Sequence, residues 1–290
     1  MLNDIERCRR FSRSVTTVVG ALDTSFLGRG RPLGVARVLN AIGHGRQDVA
    51  EVRSYLGLDS GLMSRMLRSL EDEGLITLTA DEQDARKRKA ELTEAGRIEF
   101  AEYERLSDER AHSLLSPHAK TSQLLDAMDL IASALGKKQW QVRELDPRDP
   151  VSLYCLQEYY AELNRRFDTG FDVSLSADPE ATDMVTPRGS FLVCFSDEMP
   201  LGCVGLKGTD KGYAEIKRLW VSPAARGMGL ARRLMQDTED RARQLGINVL
   251  RLDTNKKLPE AVNFYRKDGW VEIDRFNDDP YPDYFFEKVL

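Results

Sequence analysis

Residues 215–235 read EIKRLWVSPAARGMGLARRLM, and the fold turns on this stretch. Glu215 to Val221 suits a strand, Ser222-Pro223 a turn, and the run from Gly229 onward a helix. A Gly-rich turn between strand and helix offers consecutive backbone N–H groups and the positive end of the helix dipole to an anion. Gly227 and Gly229 let an elongated polyphosphate lie directly against the chain, and Arg226 adds a fixed positive charge beside it. Met228, Leu230 and Ala231 complete the loop. A glycine pair alone is a weak signal, and the plain alternative is an ordinary strand–turn–helix of an α/β domain.

The neighbours sharpen the signal. Arg226-x-x-Gly229-x-Ala231 follows Leu219-x-Val221-x-Pro223, and further on comes Ala261-Val262-Asn263-Phe264-Tyr265-Arg266-Lys267-Asp268-Gly269-Trp270. In this order the two segments resemble the two signatures of the GNAT-type N-acetyltransferases. The resemblance covers roughly residues 140–290. It implies an α/β fold with a mixed, mostly antiparallel sheet, acetyl-CoA as co-substrate and acetyl transfer to a primary amine. In that family the strand before the loop pairs with the pantetheine arm, which sets Leu219 and Val221 against it. One departure is Leu258, where the family often has a cofactor-binding Asn; Asn255, with Thr254, is the expected substitute.

Transfer from a thioester to an amine requires an anchored donor, a deprotonated amine, a stabilised oxyanion and a protonated leaving thiolate. Tyr265 is the candidate acid, since a phenol with a pKa of about 10 is protonated at neutral pH; the alternative is a packed aromatic. Strand alternation places Glu215, Lys217, Leu219 and Val221 on one face. Glu215 is then a general base, a partner for a substrate ammonium, or an ion-pair partner of Lys217. Phe276, Asn277 and Tyr281 either line an acceptor pocket or belong to a polar surface loop. No metal-ligand spacing appears among the histidines, and Cys8, Cys155, Cys194 and Cys203 read as reduced thiols.

The amino-terminal half reads differently. Ile5, Cys8, Phe11, Val15, Val18, Val19 and Leu22 predict an amphipathic helix over 3–27, followed by helices near 33–43, 47–56 and 60–73. The last two have helix-turn-helix spacing around Gly57-Leu58-Asp59. Asp59 or Ser60 caps the second of them, with Leu62, Met63, Met66, Leu67 and Leu70 inward. Ser60, Gly61, Ser64, Arg65 and Arg68 form its outer face, suited either to a major groove or to plain solvent. Strands over 75–79 and 89–92 then make a hairpin with Arg86-Lys87-Arg88-Lys89 near its tip, where a wing would touch phosphates or a minor groove.

These residues, with Asp81 to Arg86 and Leu92-Thr93-Glu94-Ala95-Gly96, resemble the MarR family over about residues 1–136. The resemblance implies a mainly α winged helix-turn-helix that dimerises through its first and last helices, here 3–27 and 94–135. A two-fold homodimer would read a pseudo-palindromic double-stranded DNA operator. On their own, the same apolar stripes are equally those of helices covering a core.

Length and composition agree with two folded domains. With 290 residues, 41% hydrophobic and 31% charged, the chain can bury two cores. Gly136-Lys137-Lys138 marks the expected boundary, giving domains 1–138 and 139–290. Each half holds 21 Lys and Arg; 21 Asp and Glu in the first and 26 in the second put the net charge of −5 on the second. No apolar run approaches the roughly 20 residues of a membrane span, and the first residues lack a signal peptide's apolar core. A cytoplasmic protein is expected. The readings that stand are a bifunctional DNA-binding regulator and acetyltransferase, a regulator that only senses acyl-CoA, and an enzyme that uses the winged domain only to dimerise.

Overall fold

The computed structural model describes residues 3–80, 87–175 and 178–290. The chain folds as two compact units, Met1–Thr121 and Ser122–Leu290. In the first, α1 (Asp4–Val18) opens with a capping box between Asn3 and Glu6. It ends well before the predicted residue 27. The Ala21 amide donates to the Thr16 carbonyl at 3.1 Å, and Gly20 takes φ +69°, a left-handed glycine stop. No residue of α1 is buried.

Next in the chain, α2 (Leu33–Gly43) is the centre of the unit's core, with Val38 and Leu39 fully enclosed. Asp48 caps α3 (Val49–Leu56), and Gly57 closes it at φ +64°. Asp59 caps α4 (Ser60–Asp72) by accepting from the Leu62 amide. Met63, Leu67 and Leu70 are buried beneath α4, whereas Leu62 and Met66 are half-buried. The hairpin of β1 (Ile76–Ala80) and β2 (Arg88–Leu92) pairs in register from Ile76↔Leu92 to Ala80↔Arg88. The predicted single helix over 94–135 is two, α5 (Glu94–Leu115) and α6 (Thr121–Leu135). Pro117, which lacks an N–H and clashes with the preceding turn, separates them. All of α6 but its first residue belongs to the second unit.

An ion cluster fastens α5 to the segment before α2. Glu99, 7% exposed, accepts from Arg29 at 3.0 and 2.5 Å and from Arg31 at 2.7 Å, and Arg31 also pairs with Glu73 at 2.6 Å. The hydrogen bonds from Arg29, with those from Arg31, outweigh burial and hold the Glu99 carboxyl below its usual range. A depressed acid stabilises the fold above its unfolded pKa and loses that contribution as pH falls through the folded value. Glu99→Gln is expected to cost roughly 2 kcal/mol in urea unfolding at pH 7. That is less than a fully buried pair would cost, because the Arg29 side chain is 38% exposed. The deficit should shrink as pH falls below the ordinary glutamate range and close as it passes the depressed pKa of folded Glu99, where the wild-type side chain is itself protonated. A deficit independent of pH would point to packing instead.

The second unit is a seven-stranded sheet in the order β3-β4-β5-β6-β7-β9-β8. Its strands are β3 (Gln141–Glu144), β4 (Ser190–Ser196), β5 (Met199–Lys207), β6 (Ala214–Val221), β7 (Val249–Thr254), β8 (Val271–Ile273) and β9 (Tyr284–Val289). All neighbours are antiparallel except β6 and β7. Residues of α8 (Leu230–Gln244) and α9 (Pro259–Lys267) share one apolar cluster with Ala214, Ile216, Leu250 and Leu252. Cys155 and Leu156 of α7 (Pro150–Arg166) share another with Phe191, Val193, Cys203 and Trp220.

Two features of β6 make the cleft. It pairs with β7 only from Ala214↔Leu250 to Ile216↔Leu252, so the strands part beyond Ile216. Against β5, the register jumps from Cys203↔Trp220 to Gly205↔Lys217, a bulge at which Arg218 takes φ +58°. The extra residue inverts the alternation. Leu219 and Val221 therefore pack with the cluster of Ala214 and Ile216, and do not share the face of Glu215 and Lys217 as strict alternation predicts.

Candidate active site and DNA-binding surface

Beyond the point where β6 and β7 part, an apolar groove of about 540 Å³ runs to the glycine loop. Its walls include Leu219, Val221, Arg226, Gly227, Gly229, Leu230 and Ala231. Met228 instead packs against the core. Gly227 and Gly229 take φ +74° and +91°, and a Cβ on either would stand in open space. Gly229 is the N-cap of α8 and supplies no side-chain cap, so the first-turn amides face the groove uncapped. Backbone and dipole thus suit a polyphosphate. Arg226 is less free than the sequence suggests. Its Nε donates to the Val221 carbonyl at 2.9 Å, and its Nη2 pairs with Glu162, which also holds Arg166 at 3.1 Å.

A second cavity, about 110 Å³, shares Tyr159, Leu163, Leu219, Leu258 and Ala261 with the groove, so the two adjoin. Tyr265 lines this cavity. Its ring packs against Trp270 and Phe286 at centroid distances of 6.1 and 5.9 Å. Burial, and then the charge of Asp253, push the phenol above its ordinary pKa, so it keeps its proton across the neutral range.

Glu215 does not line the cavity. It is buried behind Lys217, whose Nζ lies 3.4 Å from Glu215 Oε2 and 2.6 Å from Asp253 Oδ2. Burial works against the Lys217 charge, but the Asp253 and Glu215 carboxylates override it and hold its pKa above the usual value. Three acids line the cavity, Asp178, Asp253 and Asp279, and none of them was picked out from the sequence. Asp253 Oδ2 also accepts from Asn277 Nδ2 at 2.6 Å, and Asp279 Oδ1 from the Tyr281 amide at 3.2 Å. Burial raises the Asp279 pKa, with the Asp253 and Glu215 charges adding to it, against the Tyr281 hydrogen bond and Lys217.

The remaining expected residues divide. Tyr281 lines the cavity, and its hydroxyl accepts from the Asp172 amide at 2.8 Å. Phe276 packs against Tyr213 and Phe285 away from it. Asn255 lines the cavity rather than the groove; its Nδ2 donates to the Tyr281 carbonyl at 2.6 Å and its Oδ1 accepts from the Lys257 amide at 2.8 Å.

The chain's sequence relationships agree with this geometry. Residues 155–270 match the model of the acetyltransferase (GNAT) family, and residues 29–87 that of the MarR family. An IAA acetyltransferase of Azospirillum brasilense is 37% identical over 112 residues, which are 37% of this chain and 72% of that protein. The chain belongs to the GNAT acetyltransferase family. With its MarR-like amino-terminal unit, this acetyltransferase is a MarR–GNAT fusion. The uncharacterized N-acetyltransferase YjgM of Escherichia coli (strain K12) is 28% identical over 141 residues, 46% of this chain and 83% of its own. Among solved structures, a GNAT-family acetyltransferase of Staphylococcus aureus Mu50 is 19% identical with a TM-score of 0.46, covering 52% of this chain and 98% of that one.

In the winged unit of this acetyltransferase, Ser60, Ser64, Arg65 and Arg68 are all exposed along α4. Arg65 and Arg68 form no ion pair among the described residues. Arg88 is exposed at the start of β2; Arg86, also expected on the wing, lies outside the described residues. Among the described residues no helix is long and apolar enough to cross a membrane, and no three His, Cys, Asp or Glu side chains group as metal ligands.

Proposed function

We propose that the second unit moves an acetyl group from acetyl-CoA to the primary amine of a small molecule. We further propose that the first unit binds a pseudo-palindromic DNA site as a homodimer. The acetyl-transfer reading rests on one observation: the groove ending in the glycine loop shares a wall with the cavity lined by Tyr265. The uncapped amides at the start of α8 would hold the pyrophosphate. The edge of β6 at Leu219 and Val221 would carry the pantetheine arm. When bound, acetyl-CoA supplies the thioester whose carbonyl carbon the amine nitrogen attacks.

The chain's own part is to move protons. An acceptor ammonium must first lose one, and Asp279, its carboxyl pushed up by burial inside the cavity, is better placed to take it than Glu215 behind Lys217. As the C–N bond forms and the C–S bond breaks, the Tyr265 hydroxyl protonates the departing sulfur. The nitrogen gives up its second proton as the amide forms; one of its two protons restores Tyr265 and the other leaves to solvent from Asp279, so the products are the amide, free CoA and one released proton. Release of free CoA across a panel of primary amines tests this reading. Acetyl-CoA binding without release on any amine would leave a sensor in place of an enzyme.

The DNA reading is supported by the exposed Arg65, Arg68 and Arg88, and the dimer by apolar residues such as Ile5, Phe11 and Val18 standing exposed on α1. Arg65→Ala should lose roughly 1–3 kcal/mol per half-site on operator DNA and much less on random DNA. Arg88→Ala should weaken both alike and flatten the salt dependence by about one unit per lost phosphate contact. Equal, wild-type binding by both variants at several salt concentrations would favour a winged unit that serves only to dimerise.

A further inference from the structure

The cavity beside Tyr265 holds two buried cations that form no ion pair among the described residues. Arg218 is 8% exposed and Lys207 9%, and both line the cavity. Arg218 is set there by the β6 bulge, a left-handed position that few non-glycine residues occupy. Its Nη2 donates to the backbone carbonyls of Asp178 and, at 3.2 Å, Pro179, which are neutral acceptors. Its Nη1 has no partner among the described residues. The nearby Asp178 carboxylate is turned onto its own loop, accepting from the Thr182 and Asp183 amides at 3.1 and 3.3 Å. Lys207, at the end of β5, makes no ion pair among the described residues. A buried guanidinium whose hydrogen bonds go only to neutral acceptors, with one N–H to spare, favours an anion that completes it.

Lys217 is different, because Asp253 and Glu215 already neutralise it. The cavity therefore carries an acidic side at Asp253 and Asp279 and two cations without an ion pair among the described residues, Arg218 beside Asp178 and Lys207 opposite Glu215 in the β5–β6 register. An aromatic wall joins them. Tyr160 stacks on Phe171 at 5.6 Å, and Phe171 meets Tyr281 at 4.8 Å.

We infer that Arg218 and Lys207 bind the carboxylate of the acceptor, so that the molecule acetylated is an amino acid with an apolar side chain. The ammonium goes to the acidic side and the side chain to the aromatic wall. That the bound amino acid is an acceptor rests on the proposed acetyl transfer; the carboxylate site does not. A planar guanidinium with a spare N–H suits a carboxylate better than any uncharged substituent.

Calorimetry on the full-length protein saturated with CoA tests the site without turnover. The probes are leucine and phenylalanine against their decarboxylated counterparts, 3-methylbutylamine and 2-phenylethylamine. The amino acids should bind about 10- to 100-fold more tightly than the amines, the usual worth of a charge-assisted hydrogen bond. That preference should vanish in Arg218→Gln and weaken in Lys207→Gln, with CoA affinity reporting whether each variant is folded. If Arg218→Gln does not fold, Lys207→Gln carries the test alone. Amines that bind as tightly as amino acids, or a preference unaltered in the folded variants, would overturn the inference. CoA release is read separately. Arg218-dependent binding without release would remove the acetyl-transfer reading and leave the carboxylate site standing.

Discussion

Replacing Tyr265 with Phe should lower kcat by roughly 10²- to 10⁴-fold, the usual effect of losing a general acid. Phe retains the ring that packs against Trp270 and Phe286, so the core of α9 should be undisturbed. The KM for acetyl-CoA should change little, because the hydroxyl is expected to act as the C–S bond breaks rather than in binding. The pH profile adds a second check. Burial and Asp253 raise the phenol's pKa, and an acid with a raised pKa stays protonated to higher pH. No alkaline loss of rate attributable to Tyr265 should therefore appear below about pH 10, its unperturbed value. A near-wild-type kcat in the variant, under conditions where chemistry limits turnover, would return Tyr265 to a packing role.

The parts of this fold that were legible in the sequence are those set by local chemistry. Asp59 before a run of alternating small and apolar residues, and Gly57 ahead of it, mark the two helices at residues 49–72 because caps and stops act within one turn. The glycine loop and α8 are legible for the same reason. The overlong helix predictions had local answers too. Gly20 and Pro117 were both visible, but apolar periodicity running past them masked their effect.

What could not be read depends on contacts between distant segments. A bulge at Arg218 carries no sequence mark, since Arg is not a residue that favours positive φ. It inverts strand alternation, which is why Glu215 and Leu219 end on different faces of β6. Asp253 comes to Lys217 from a neighbouring strand, and Asp279 from a loop beyond α9. The partner of Arg226 is Glu162, on α7. Only the sheet order brings these groups together, so sequence motifs mark the loop and the tyrosine as candidates but carry no sign of the charges around them.

Gly229→Glu should abolish measurable CoA binding while the protein remains folded. Gly229 sits at φ +91° as the N-cap of α8, and a Cβ there meets nothing within 4 Å. The new side chain therefore enters open groove and displaces no neighbour. Its structural cost is mainly backbone, about 1–2 kcal/mol for a left-handed non-glycine residue. Gly229→Ala imposes the same backbone cost without the charge, and so separates strain from obstruction. The introduced carboxylate would do more than block. At a helix N-terminus a negative charge is favourable, so it would accept from the same first-turn amides expected to hold the pyrophosphate. The variant should cap its own helix and compete with CoA from within, which offsets part of its strain and keeps its melting temperature near that of Gly229→Ala. Losing several charge-assisted contacts should weaken CoA by roughly 100-fold or more in calorimetry, with a much smaller loss for Gly229→Ala. Equal losses in the two variants would mean that backbone shape, not access to the amides, controls the groove. Unchanged CoA affinity in folded Gly229→Glu would move the phosphate site away from this loop altogether.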